Sequence, residues 1–353
     1  DLDVGPVATE AALGALGRNE GVGPDGVAGV VLRAGGGAIA AKYGELNVRV
    51  ASTGQWPLEW QGGDIVSAWK RKGDMRSCDA SRGLLLSDHA AKGLVDMVNH
   101  SVEPFYETHI PQDQNGTVRR RGADFATHVV TSVAAWAKAM TWSIFIMFLD
   151  LAKAFDRIVR QLVAGWGEVP EGARLAHLRS LGVSASAPEW IAQCLDERGP
   201  LMEQWPVPKT SAVLLRTLHE GAWFCVTGGV RRFETRTSGR QGCKVGSLIS
   251  RAAYSIPLDM FQWRLKRVLD ITFVDDECVV LVASAPSTLR SAVDLLLETL
   301  LNVFDNCHLQ LSWETGKTEA VVKFRGHGAV AARESFRLPD GLLDYSLEKF
   351  GHA

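Results

Sequence analysis

SIFIMFLD, Ser143 to Asp150, is a short continuous apolar run that ends on a carboxylate. A run this short, rich in Ile and Phe, fits a strand buried on both faces of a sheet. Acids are scarce in such places because an unpaired buried carboxylate is costly, so Asp150 calls for a chemical reason. A second acid cluster makes the same demand. Asp275-Asp276 is flanked by ITFV and ECVVLVA, and a tight hairpin over Ile271 to Ala283 puts both acids at its tip. Adjacent carboxylates repel unless water or a cation neutralises them. Mg²⁺, a hard cation that takes oxygen ligands, is the natural partner.

Outward from this pair, Ser87 to His100 and Ala123 to Met140 carry apolar residues at helical intervals. Residues 157 to 220 read as mostly helical, broken at Pro188 and by the prolines between Gly199 and Lys209. Trp223 to Thr237 reads as a hairpin turning at Gly228-Gly229, Ser247 to Leu269 and Ser287 to Phe304 as helices, and Leu309 to Phe324 as a strand pair around Gly316. Helices and strands that do not strictly alternate predict an α+β layer.

The chain has 353 residues, enough for two or three subdomains. Lys and Arg total 38 against 40 for Asp and Glu, a formal charge of -2, so any nucleic-acid surface has to be local. Two basic patches qualify, one over Ala68 to Arg82 and one at Arg119-Arg120-Arg121. The 6 cysteines show neither a C-x-x-C pair nor zinc-ligand spacing, and they read as reduced thiols of an intracellular protein, cytoplasmic or nuclear. Val129 to Leu149 approaches membrane-spanning length, but Lys138 interrupts it, so no membrane span is expected. The start, Asp1-Leu2-Asp3, lacks an initiator Met and suggests a piece of a longer reading frame. Residues 1–55, dominated by Gly and Ala, are expected to be a poorly ordered leader or linker.

Three segments, in order, carry a family resemblance. FLDLAKAFD, Phe148 to Asp156, resembles the first catalytic motif of reverse transcriptases of the non-LTR retrotransposon and group II intron type. TRTSGRQGCKVGSL, Thr235 to Leu248, is similar to the family's element in which Arg-Gln-Gly-Cys follows a hairpin and opens a helix. FVDD, Phe273 to Asp276, resembles its aromatic-x-Asp-Asp hairpin. Weaker likenesses extend outward through WKRKGDMRSCDASRGLLL (Trp69 to Leu86), Gln114 to Asp124, and ETGKTEAVVKF (Glu314 to Phe324). The resemblance departs from the family where Lys244-Val245-Gly246-Ser247 replaces Pro-Leu-Ser-Pro and where Gly83 follows Arg82.

The resemblance implies an RNA-directed DNA polymerase with a right-hand fold: a palm of antiparallel sheet backed by helices, mostly helical fingers, and a thumb largely absent. Fingers and palm would occupy residues 56–326, and 327–353 would be a remnant or the start of a thumb. It implies two Mg²⁺ ions, or Mn²⁺, held by Asp150, Asp275, Asp276 and the Leu151 carbonyl. Lys70 or Lys72, with Arg82, would face the triphosphate; Gln241 and Gly242 would support the template or nascent pair. Phe155 would lie under the incoming sugar, and Lys317, were its pKa depressed, would protonate departing pyrophosphate. The partners implied are an RNA template, a DNA primer and dNTPs. A catalytically inactive remnant that only binds nucleic acid and an RNA-dependent RNA polymerase are the competing readings.

Overall fold

The computed structural model describes residues 2–17, 20–112, 114–115, 121–183, 186–265, 269–273, 276–314 and 316–335. Among them stand the strands β1 (Gly62–Trp69), β2 (Ser81–Leu86), β3 (Ser143–Leu149), β4 (Trp223–Val226), β5 (Arg232–Glu234), β6 (Leu269–Phe273), β7 (Asp276–Ala283) and β8 (Glu319–Lys323). They form one sheet in the order β2-β1-β4-β5 and another in the order β6-β7-β3-β8. The second sheet is antiparallel throughout, whereas the first is mixed because β1 runs parallel to β4. The chain is α+β, and it divides into two compact units, residues 1–109 with 155–253 and residues 110–154 with 254–353.

The first unit differs from expectation at its start. Residues 1–55, read as an unpacked leader, hold helices Pro6–Gly14, Gly29–Ala34 and Gly36–Thr53, and Leu13, Leu32 and Val50 are buried. The small residues that suggest a linker serve close packing instead. A Cβ on Gly44 would lie 2.8 Å from the Pro6 Cα, so only glycine lets these helices approach so closely. Buried Asn47 donates to the Thr9 hydroxyl at 3.0 Å, and Thr9 donates to the Val4 carbonyl at 3.2 Å. The basic stretch after Ala68, read as a loop, is bracketed by β1 and β2 as an antiparallel hairpin.

The second unit is layered about its sheet. Helix Ala123–Ala139 places Val130, Val133, Ala134 and Ala137 at i, i+3, i+4 and i+7 against Ile144, Ile146 and Val280 on one face. Asp124 in its first turn and Lys138 in its last complement the helix dipole. Helix Pro286–Asn306 packs on β3 and β7, burying Leu289, Val293, Leu296 and Leu300. Over 309–324 the expected strand pair reduces to β8 and a single bridge between Leu151 and Leu311. No described helix is long and apolar enough to cross a membrane, and the six cysteines form no disulfide.

Candidate active site

The ends of β3 and β7 and the turn before β8 build the site. Phe148 pairs with Cys278 of β7 on one side and with Glu319 of β8 on the other. Past these pairs the ladder changes: on the β7 side its last described pair is Leu149 with Glu277, and on the other side the Asp150 carbonyl accepts from Ser312 and Leu151 bridges to Leu311, a different register from that of β8. Phe148, Asp150, Asp276 and Lys317 all line one cleft at this end of the sheet. The Lys317 Nζ is indeed 2.7 Å from Asp150 Oδ2. The Asp150 backbone is pinned at both ends: its N–H donates to the Thr318 hydroxyl at 3.3 Å, and its carbonyl accepts from Ser312 N–H at 2.8 Å. Asp276 opens β7, paired with Phe273 across the hairpin. Asp275 lies outside the described residues.

These groups open into a cleft of about 620 Å³ between the first turns of helix Ala123–Ala139 and the ends of β3 and β7. Phe148, 48% exposed, forms part of its wall, where an apolar ring at a strand's end would otherwise be buried. Lys317 is held above its ordinary pKa, first by its hydrogen bond to Asp150 and further by the charges of Asp150, Glu314 and Asp276. The depressed pKa that the proton-donor role requires is thus not met in this ion-paired state. The Cys278 thiol, also in the cleft wall, is pushed up to about 12 by burial, then by Asp270 and Glu277, and is no nucleophile.

Behind the acids, on the opposite face of the sheet, Glu277 is buried and accepts from the Tyr254 hydroxyl at 2.5 Å. Burial raises its carboxyl to about 7, against the lowering effect of hydrogen bonds from Tyr254 and Asp270. Among the described residues no group of three or more His, Cys, Asp and Glu side chains forms a metal cluster. Asp150 and Asp276 nonetheless suit a hard cation: both offer carboxylate oxygens in one cleft, and an ammonium already sits where a cation would neutralise Asp150. Leu151 is buried, bridged to Leu311.

The remaining predicted residues belong to the first unit. Lys70 and Lys72 stand in the β1–β2 loop, and exposed Arg82 is on β2. Because β1 and β4 are parallel, the β1–β2 loop with Lys70, Arg71, Lys72 and Arg76 and the β4–β5 loop with Arg231 leave that sheet in the same direction, whereas the Arg232 guanidinium turns back over the Trp223 ring at 4.5 Å. Exposed rings accompany them, Trp69 at 42% and Phe233 at 38%, the latter stacked on Phe224 at 5.3 Å. Of the other basic patch, Arg119 and Arg120 lie outside the described residues, while Arg121 donates to the carbonyls of Gln112 and Gln114. Gln114 is buried, with a backbone bridge to Thr272.

The loop Ser238–Gly242 is strained: Ser238, Arg240 and Gly242 all have positive φ. The Leu85 N–H of β2 donates to the Gln241 carbonyl at 2.9 Å, and a Cβ on Gly242 would meet the Leu85 carbonyl at 2.8 Å. At the helix that follows, a Cβ on Gly246 would lie 1.6 Å from the Gly239 carbonyl, which accounts for glycine within Lys244-Val245-Gly246-Ser247. Phe155 is half-buried in a 3₁₀ turn, its carbonyl accepting from Gly239 N–H at 3.0 Å.

Sequence reasoning missed Arg160. Its buried guanidinium donates to the carbonyls of His219, Thr235, Thr237 and Ser238 and to the Thr235 hydroxyl, fixing the approach to the strained loop. A lone Arg inside the apolar run Ile158-Val159-Arg160-Gln161-Leu162-Val163 was the available signal. Neither a protein-family model nor a curated protein sequence matches the chain.

Proposed function

We propose that the chain is the fingers and palm of a reverse transcriptase, an RNA-directed DNA polymerase that extends a primer on an RNA template. The observation that carries this reading is the Asp150–Lys317 ion pair at the end of β3, in a cleft that Asp276 also lines. The order FLDLAKAFD, SGRQGC, FVDD adds to it. Asp150, Asp276 and, from the sequence, Asp275 would hold Mg²⁺, with the Leu151 carbonyl as a further oxygen donor. Bound there, Mg²⁺ would act as a Lewis acid on phosphate oxygens.

The chain's own residues have separable tasks in this proposal. Lys317 pairs with Asp150 and supplies positive charge beside the developing pyrophosphate. Lys70 or Lys72 and Arg82 bind the triphosphate, the guanidinium in bidentate fashion. The basic end of the first sheet, with Trp69 and Phe233, is suited to the backbone and bases of a nucleic-acid strand. Gln241 and Gly242 support the template or nascent pair, and Phe155 bears the incoming sugar.

The test is primer- and Mg²⁺-dependent incorporation on an RNA template, dNTPs against NTPs, by the parent and by Asp150→Asn. We expect dNTP incorporation by the parent and a loss of about 10³-fold or more in the variant, roughly 4 kcal/mol of transition-state stabilisation. Wild-type-like extension by the variant sinks the assignment. Preference for NTPs would make the chain an RNA-dependent RNA polymerase, and duplex binding without incorporation a catalytically inactive remnant.

A further inference from the structure

In the first unit, residues 20–28 lie as a strap across the end of β2 and the start of helix His89–His109. Nothing in the polymerase proposal uses this strap. Its fit is close: a Cβ on Gly21 would lie 2.9 Å from Leu86 Cδ2, and one on Gly23 would lie 2.4 Å from both the Asp88 N and its Oδ1. Glycine therefore lets the strap backbone rest directly on Asp88. Both ends are pinned. Lys92 Nζ donates to the Gly21 carbonyl at 3.2 Å and to Glu20 Oε2 at 3.4 Å, and His89 Nδ1–H donates to the Val27 carbonyl at 3.0 Å.

Between these pins the strap meets like charge. Asp88 is 3% exposed, and the Asp25 carboxyl of the strap is hydrogen-bonded to it. Two ionised carboxylates only accept, so that bond exists only while one of the pair keeps a proton. Burial first, then the charge of Asp25 and its hydrogen bond, and then the charge of Glu59, push the Asp88 carboxyl up to about 6. One contact works the other way: the Asp25 N–H donates to Asp88 Oδ1 at 3.2 Å and favours the charged form, but it is outweighed. Tyr43, from helix Gly36–Thr53, meets the same negative charge; burial, then Asp25 and Asp88, raise its pKa. The basic groups that follow Asp88 are directed at Glu20 instead, His89 Nε2 at 3.9 Å and Lys92 Nζ at 3.4 Å.

We propose that residues 20–28 form a pH-released strap, held on the first unit while Asp25 and Asp88 share a proton and let go when both carboxyls are ionised. The sign follows from linkage. Under the strap Asp88 prefers its neutral form; with the strap lifted the carboxyl meets water and returns to the ordinary carboxylate range. The hold is therefore complete below that range and is lost as pH rises through about 6. Each tenfold that the strap adds to proton affinity is a tenfold in its own closing equilibrium, and we expect about 10²-fold in all. Release bares Leu86 at the end of β2, the outer strand of its sheet, and the first turn of helix His89–His109.

The test is hydrogen–deuterium exchange of the full chain between about pH 5 and about pH 8, corrected for the intrinsic pH dependence of amide exchange. It reads the strap alone and needs neither nucleotide nor metal, so it is separate from the polymerase reading. We expect protection of the amides in 20–28 to fall by about 10²-fold across a midpoint near 6, while helix His89–His109 keeps its protection. Asp88→Asn keeps the side chain's size and offers Asp25 a permanent N–H, so the strap should stay protected throughout. Asp25→Asn removes the like charge and should move the midpoint to lower pH. Melting temperature is checked in parallel, and should Asp88→Asn fold poorly, Asp25→Asn carries the test. A flat profile in the parent, a parallel loss of protection in the helix, or a midpoint unmoved by Asp25→Asn overturns the proposal. So does a step that survives in folded Asp88→Asn, which would assign the switch to His89 and Glu20.

Discussion

Asp150 shares its cleft with a like charge and an opposite one, and its environment was half legible. That a carboxylate ends an apolar strand is visible in SIFIMFLD; that Lys317 faces it is not, because 167 positions separate the two and only the fold joins them. The ion pair itself contributes little to stability, under about 1 kcal/mol, since its partners are 40% and 28% exposed. Glu277 behaves differently. Burial raises its carboxyl to about 7, so the folded state prefers it neutral. The resulting stability is complete below the carboxyl's unfolded value and is lost as pH rises through about 7. The melting temperature should therefore fall over that interval, and Glu277→Gln should flatten the fall; an identical pH profile in the variant would show that Glu277 does not titrate there. At Phe155 the ring is half-buried, so Phe155→Ala should cost little stability. If the ring bears the sugar, the variant should lose about 10²-fold in dNTP over NTP preference, read as the ratio of kcat/KM values in single-nucleotide insertion. An unchanged sugar preference assigns the ring to packing.

Among the elements, those with a clear period were read correctly: β3, helix Ala123–Ala139 and helix Pro286–Asn306 stand within a few residues of expectation. The early helices were not, because Gly and Ala lower apparent hydrophobicity while permitting the closest packing, as at Gly44. Strands β1 and β2 were hidden by the charges of the loop between them. The turn that joins Gly239 to Gly246 shows how a departure from a familiar motif can be structural. Gly246→Ala would drive a methyl into the Gly239 carbonyl at 1.6 Å. We expect it to destabilise by about 2–4 kcal/mol. Gly172→Ala, with nothing within 4 Å of the new methyl, should change stability by less than about 1 kcal/mol. Denaturant titration of both variants checks the contrast, and equal midpoints would refute it.

For the whole molecule, a formal charge of -2 conceals a local concentration of positive charge. Two loops that leave the first sheet in the same direction carry basic residues about 160 positions apart in sequence, from Lys70 to Arg231. Summed composition cannot register this, whereas the parallel pairing of β1 with β4 makes it unavoidable. If about five phosphates are neutralised there, log affinity for a primer–template duplex should fall against log salt with a slope near -4. A flat dependence in titrations at several salt concentrations would remove electrostatics from the account of binding.

The interleaving of the two units also orders events in time. Strand β3 leaves the ribosome long before β7, its first sheet partner, whose last paired residue is Ala283, about 130 residues later. At roughly 5–20 residues per second, SIFIMFL waits on the order of 7–27 s in the nascent chain with its backbone groups unpaired. Its apolar side chains are equally uncovered by that sheet. During that interval it is an open template for any other strand, so slower translation between Asp150 and Asp276 should raise misassembly and the demand for chaperones.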